Sequence, residues 1–187
     1  MNLESIKEKS LSLINRHGNK LKPALDSVYN VAKAAEETLD PSSVVLKGFP
    51  RSLQLDSFSC GAQSVFSILK YFGKAKSCRN TQKELHTTQD GTDLDNIRKL
   101  FKKRGLITKR INMPTIAKIK KAINNGWPLL ISLYDDAHYS VIYGYGRNSI
   151  YMADPMALKS LCRIPLKEFR EDWDRWAMIV KLKEVIK

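Results

Sequence analysis

The stretch from Gln54 to Gly73, QLDSFSCGAQSVFSILKYFG, constrains this chain more than any other. Its first residues alternate as a short extended segment, Ser57 to Ser59 break the pattern, and a helix starts at Cys60-Gly61. Ala62, Val65, Phe66, Leu69 and Phe72 then recur at the three- and four-residue steps of one helix face, and Gly73 ends the run. A cysteine therefore sits in the first turn of a core helix. The unpaired N–H groups and the dipole of a helix start favour an anion and lower a thiol's pKa. Such a cysteine can act as a nucleophile. It can equally be a small inert thiol filling space, because free cysteine is among the most buried residue types.

On either side of this helix the periodicity changes twice. Residues 2–17 carry a helical pattern through Leu3, Ile6, Leu11, Leu13 and Ile14, and a second helix is expected from Pro23 to about Thr38 with Leu25, Val28, Val31, Ala32 and Ala35 inward. Asp40-Pro41-Ser42-Ser43 breaks the chain, so residues 1–48 read as a helical arm outside the main unit, 49–187. After the Cys60 helix a weak helix is expected near Thr81–His86. A firmer one follows at Leu94–Arg104, capped by Thr92 or Asp93 and stopped by Gly105. Leu106–Ile111 reads as a strand and Thr115–Asn124 as a helix. The last third is β-rich: Pro128–Leu133, His138–Tyr145, Ser149–Ala153 and Trp176–Leu182, with Gly144 to Asn148 as a hairpin turn. Helices first and antiparallel strands later imply an α+β domain of two lobes, with a site between them.

At 187 residues and 43% hydrophobic content the chain can bury one ordinary core. Cys60, Cys78 and Cys162 are odd in number and lack CxxC spacing, which suits neither a disulfide framework nor a zinc site and points to a reducing compartment. The amino terminus is amphipathic and lacks the apolar centre of a secretory signal. The longest apolar stretch, around Trp127 to Tyr134, is far short of the ~20 residues that span a bilayer. The expectation is a cytoplasmic protein. Its net charge is +13, and between Arg98 and Lys121 ten Lys or Arg residues occur with no Asp or Glu. That run can attract an acidic peptide or be a solvated surface. It has no interleaved aromatics of the kind that stack bases, which argues against nucleic acid.

Cysteine catalysis needs a base for the thiol proton, a group that orients the base, and donors for the developing oxyanion. His138 opens the strand HYSVIYGY, and Asp154 ends the next in YMADP. Two antiparallel neighbours joined by a tight turn bring their outer ends together, which places His138 beside Asp154. His138, Ser140, Ile142 and Gly144 should share one strand face. Gln54, six residues before Cys60, can bring its amide over the helix start beside the Cys60 N–H. Singly, each has an ordinary structural reading: an edge histidine, an Asp-Pro turn, a solvent-facing glutamine.

Together with GTDLDNIRKLFKKRGL, NGWPLLISL and HYSVIYGYGRNSIYMADP, the Cys60 stretch resembles the bacteriocin-processing peptidase family in order and spacing, over roughly Gly48 to Lys183. The resemblance implies a papain-like cysteine peptidase fold. It implies Cys60 as nucleophile, His138 as general base, Asp154 as orienting acid and Gln54 as oxyanion donor, with no cofactor or metal. The partner implied is a peptide or small-protein substrate, which the basic run would favour as acidic. Ser59 stands where the family often has an acidic residue, and Met156-Ala157-Leu158 where it often has a glycine, which bears on the entrance to the site. With no membrane span and no Walker loop after the domain, the chain resembles the stand-alone members. The same apparatus would serve an acyl or amide transferase, and a non-catalytic peptide-binding module is the remaining alternative.

Overall fold

The computed structural model describes residues 42–54, 56–157 and 162–183. The two helices expected before residue 40 lie outside the described residues. Among the described residues the order is β1 (Val44–Val45), α1 (Cys60–Tyr71), α2 (Cys78–Glu84), α3 (Leu94–Lys103), β2 (Leu106–Asn112), α4 (Ile116–Asn124), β3 (Leu129–Leu133), β4 (His138–Tyr145), β5 (Ser149–Ala153), β6 (Cys162–Pro165), α5 (Leu166–Asp172) and β7 (Trp173–Leu182). Helices dominate the first part and antiparallel strands the second, an α+β arrangement.

The strands form one sheet in the order β2-β7-β3-β4-β5-β6, with β1 added to β4. All pairings are antiparallel. The last strand thus returns to the middle, between β2 and β3. Register puts Val141, Leu130, Met178 and Arg110 side by side on one face. Tyr139 shares that face, and its ring comes so close to α1 that a Cβ on Gly61 would lie 3.0 Å from it. On the other face, Lys109, Ile111 and Ile179 border a groove with Lys118, Lys121 and Ala122 of α4. Helices therefore cover both sides of the sheet centre. This is why β3 reads LLISL rather than alternating: all five residues are buried, as a strand covered on both faces requires.

The helix ends follow local chemistry. Asp93 caps α3 by accepting from Asn96 N–H, Thr115 caps α4 through Lys118 N–H, and Ser77 caps α2 through Asn80 N–H. Gly73, with φ of 65°, stops α1. Some boundaries differ from expectation. The weak helix runs from Cys78 to Glu84, because Ser77 supplies a cap earlier than Thr81. β7 begins at Trp173, three residues early. β6, α5 and β1 were not anticipated; β1 lies within the segment read as an arm, yet joins the sheet. The alternation along β4 is interrupted by a register shift between Ile142 and Gly144, so Gly144 does not simply continue the His138 face. There Gly144 carries Val45 within 2.6 Å of where a Cβ would stand, which admits β1.

The core joins α1, α3, α4 and the sheet centre through Ile68, Leu69, Phe101, Ile119, Leu130 and Ile142. Among the described residues no helix is long and apolar enough to cross a membrane. Leu130 is fully buried on the central strand, so Leu130→Ala should cost about 2–5 kcal/mol. A lower urea midpoint with an unchanged m-value is the expected result.

Candidate active site

Cys60, His138 and Asp154 meet at the junction of the two lobes. α1 brings Cys60 from the helical side, and the β4–β5 hairpin brings the other two. Because Val141 pairs with Ala153, the outer ends of the hairpin fall together. His138 Nε2 lies 2.8 Å from Asp154 Oδ1. The same carboxylate oxygen accepts the Met156 N–H at 2.8 Å, which fixes its orientation. With Nε2 committed to the acid, the ring's other nitrogen, Nδ1, is the one left for the Cys60 thiol, and the two groups lie close enough to shift each other's proton affinity.

The environment favours charge on both partners. Burial, the largest influence on Cys60, pushes its thiol up. The His138 hydrogen bond, the Tyr139 and Gly61 backbone N–H groups and the His138 charge outweigh it and bring the thiol below its ordinary value. Burial acts on His138 in the opposite sense, lowering it; hydrogen bonds and charge from Asp154 and Cys60 prevail and raise the imidazole to about 10. Both shifts run in the direction that favours a thiolate beside an imidazolium. Gly61 is required by the packing as well, since a Cβ there would come 2.7 Å from Thr92 Cβ.

Gln54 sits on the loop leading into α1. Its backbone N–H donates to the Pro155 carbonyl at 2.9 Å, tying the loop to the Asp-Pro turn. Its side-chain Nε2 donates to the Asp56 carbonyl at 2.8 Å, which leaves one amide hydrogen for another acceptor. Asp56 Oδ1 accepts from Phe58 N–H at 3.0 Å and Ser59 N–H at 2.7 Å, shaping the turn that launches the helix. The sequence reading missed this residue, although an Asp whose side chain accepts from N–H groups two and three residues on is a recognisable turn signal. It also passed over Gln63, one turn beyond Cys60, whose Oε1 accepts from Ser52 Oγ and from the Cys78 thiol. Arg51, half-buried, lies near enough to Asp154, Cys162 and Tyr143 to feel their charge. None of these could be read from periodicity.

A cysteine, a histidine and an acid in this arrangement can form and break an acyl-enzyme. The profile of the peptidase C39 family matches residues 49–184. The chain belongs to that family. It is a cysteine peptidase, a hydrolase. Among similar proteins, the lactococcin transport/processing ATP-binding protein LcnC-like of Lactococcus lactis is 27% identical over 132 residues, covering 64% of this chain. The transport/processing ATP-binding protein ComA of Streptococcus pneumoniae is 26% identical over 129 residues, again 64% of this chain. The matches span 17% of the length of both relatives. Among solved structures, the double glycine motif protease from an AMS/PCAT transporter, in complex with its leader peptide, superposes with a TM-score of 0.61 at 25% identity, covering 71% of this chain and 91% of that one. The peptidase domain of Streptococcus ComA gives 0.63 at 21% identity, covering 72% and 98%. A C39-like peptidase from Bacillus anthracis gives 0.61 at 16%, covering 76% and 99%. The fold of this C39 peptidase is accordingly papain-like.

The charge state of Cys60 can be read directly by alkylation with iodoacetamide against pH. Cys60 should react well below pH 8.5, where an ordinary thiol titrates. His138→Ala removes the largest charge-stabilising partner and should move the midpoint up towards that value.

Proposed function

We propose that this C39 peptidase cleaves a peptide bond through a thioester on Cys60. The observation that carries the reading is the His138 ring, held by Asp154 at 2.8 Å through Nε2 and close enough to Cys60 for each to shift the other's proton affinity. The thiolate attacks the scissile carbonyl carbon, and the oxyanion that forms is held by the Cys60 N–H and the remaining Gln54 amide hydrogen. His138 gives its proton to the departing amine as the C–N bond breaks. Water then attacks the thioester, losing a proton to His138. The carboxylic acid leaves and the thiolate returns. Asp154 keeps the ring oriented and balances its charge throughout.

The substrate in this reading is the leader segment of a peptide precursor, by analogy with the double glycine motif protease bound to its leader peptide. Met156, next to Asp154 and 48% exposed, stands at the rim of the site, where its side chain is available to a bound substrate. The basic run is divided over α3, β2 and α4. Arg98 pairs with Asp95, and Lys103 and Arg104 pair with Glu84, while Lys109, Lys118 and Lys121 border a groove of ≈ 450 Å³ with Trp127 and Ile179. That groove supports an acidic stretch in the substrate. Residues 49–187 form the peptidase unit, and 1–48 an arm for substrate or partner binding, of which β1 already joins the sheet. A cytoplasmic setting fits cysteines that form no disulfide.

Cys60→Ala should abolish cleavage of a leader peptide while leaving the circular dichroism spectrum intact; retained turnover would sink the assignment. Gln54→Ala should lower kcat about 10²- to 10³-fold with KM little changed. With an amine acceptor present, the main product should remain the free acid, which separates hydrolysis from acyl transfer. If the groove steers an acidic substrate, kcat/KM should fall as the Debye length shrinks from about 10 Å at 0.1 M salt to about 3 Å at 1 M.

A further inference from the structure

The β3–β4 connection delivers the chain to His138, and its residues are poorly suited to its shape. Tyr134, Asp135 and Asp136 have φ of 60°, 57° and 62°. These are three consecutive left-handed residues without a glycine, and each presses its Cβ against the following carbonyl oxygen. Hairpin turns of this hand normally carry Asn-Gly or Gly-Gly at their centre. Within itself the turn is closed by the Ala137 N–H donating to the Tyr134 carbonyl at 3.2 Å.

What holds it comes from the start of β7. The two carboxylate oxygens of Asp174 accept separately from the N–H groups of Asp135 and Asp136, each at 2.9 Å. The Tyr134 N–H donates to the Asp172 carbonyl at 2.9 Å, and the Trp176 indole N–H donates to Asp136 Oδ1 at 3.1 Å. Ladder pairing reaches only the edge of the turn, where Leu133 pairs with His138 and, past a register shift between Ile131 and Leu133, with Trp173. A carboxylate fork across two adjacent backbone N–H groups forms short, directional, charge-assisted bonds.

The two residues that follow the connection make the decisive contacts. His138 meets both Cys60 and Asp154, and the Tyr139 N–H reaches the Cys60 sulfur. We infer that Asp174 is a positioning residue for the reaction: its carboxylate holds the left-handed turn 134–136, and through it the His138 ring and the Tyr139 N–H over Cys60. The inference rests on the Cys60–His138 reading given above. It assigns Asp174 no contact with substrate. Its effect is on the alignment of groups that stabilise the thiolate, where a displacement of 1 Å can cost about 10²-fold in rate.

The test uses the full chain and iodoacetamide as the probe, with the alkylation of Cys60 followed against pH by peptide mass and the urea transition recorded for each variant. In Asp174→Ala, alkylation at pH 6 should fall at least about tenfold and its midpoint should move towards 8.5, since an unsupported thiol is protonated at pH 6. Asp174→Asn, whose amide oxygen still accepts one N–H, should lie between. Adding Asp135→Gly to Asp174→Ala should return much of the lost reactivity, because glycine adopts the left-handed turn unaided. A wild-type alkylation profile in Asp174→Ala overturns the inference. So does a loss that tracks the urea midpoint and that Asp135→Gly does not restore, for then Asp174 serves stability alone. An ordinary titration of Cys60 in the unsubstituted chain is a separate failure, of the Cys60–His138 reading itself, and is seen before any variant is made.

Discussion

His138 must satisfy both ring nitrogens at a seam between two lobes, and most of the architecture follows from that demand. One partner arrives on a helix, the other on the neighbouring strand, so the ring is placed only when α1 docks on the sheet and the β4–β5 hairpin keeps its register. An unpaired imidazolium or thiolate taken out of water would be strongly unfavourable. Here Cys60 and His138 face one another, Asp154 takes the ring's Nε2, and the Tyr139 and Gly61 N–H groups favour the charged form of the thiol. The docking is correspondingly tight: at Gly61 there is no room for a methyl group between α1, Thr92 and Tyr139. The glycine after the cysteine belongs to the same requirement as the cysteine.

The Asp154-Pro155 turn works in two directions. Its carboxylate orients His138, and its Pro155 carbonyl receives the backbone N–H of Gln54, so the loop entering α1 is anchored to the β lobe as well as to its own helix. Gln63 grips the same loop from the helical side, through Ser52. Gln54 is therefore positioned from both lobes at once. Any relative slip of the lobes would disturb Cys60, His138 and Gln54 together, which couples the fold's main interface to the proposed chemistry.

What was legible in the sequence was whatever obeys a period or a hairpin. The apolar steps from Ala62 to Phe72 marked α1, and the β-rich run Pro128–Leu133 marked β3. Antiparallel pairing across a short turn brought His138 to Asp154 without any knowledge of the fold. What escaped was set by tertiary contact. β1 is two residues long and exists because Gly144 leaves space for Val45. β6 and α5 are four and seven residues long, too short for a periodic signal, although Pro165 followed by Leu166, Phe169 and Trp173 at three- and four-residue steps was a trace of one. Asp174 carries no local signal at all, because its partners stand 39 and 38 positions away. A lysine-rich stretch reads as one patch in sequence, yet folding shares it among two helices and a strand and neutralises part of it with Glu84.

Strain is concentrated where the sheet meets the site. Tyr134, Asp135, Asp136 and Arg175 all have left-handed backbones, as does Met113, whose N–H donates to the Arg175 carbonyl at 2.6 Å. At roughly 1–2 kcal/mol per residue this is a substantial cost, and non-glycine residues persist in such a state only when the surroundings over-determine it. The surroundings here are rigid: Phe169 and Trp173 stack at 4.9 Å, the Trp173 indole N–H donates to the Trp176 carbonyl at 2.8 Å, and Arg110 lies over the Trp176 ring. The same aromatic cluster reaches Tyr139, whose ring meets Trp176 edge-on at 6.2 Å. Rigidity at the rim thus passes along β4 to the residue whose N–H faces the thiol. Glycines would adopt the turn's left-handed shape without strain; here the Asp174 fork holds that shape instead. The stability given up at this rim is consistent with a site whose function depends on alignment more than on depth of burial.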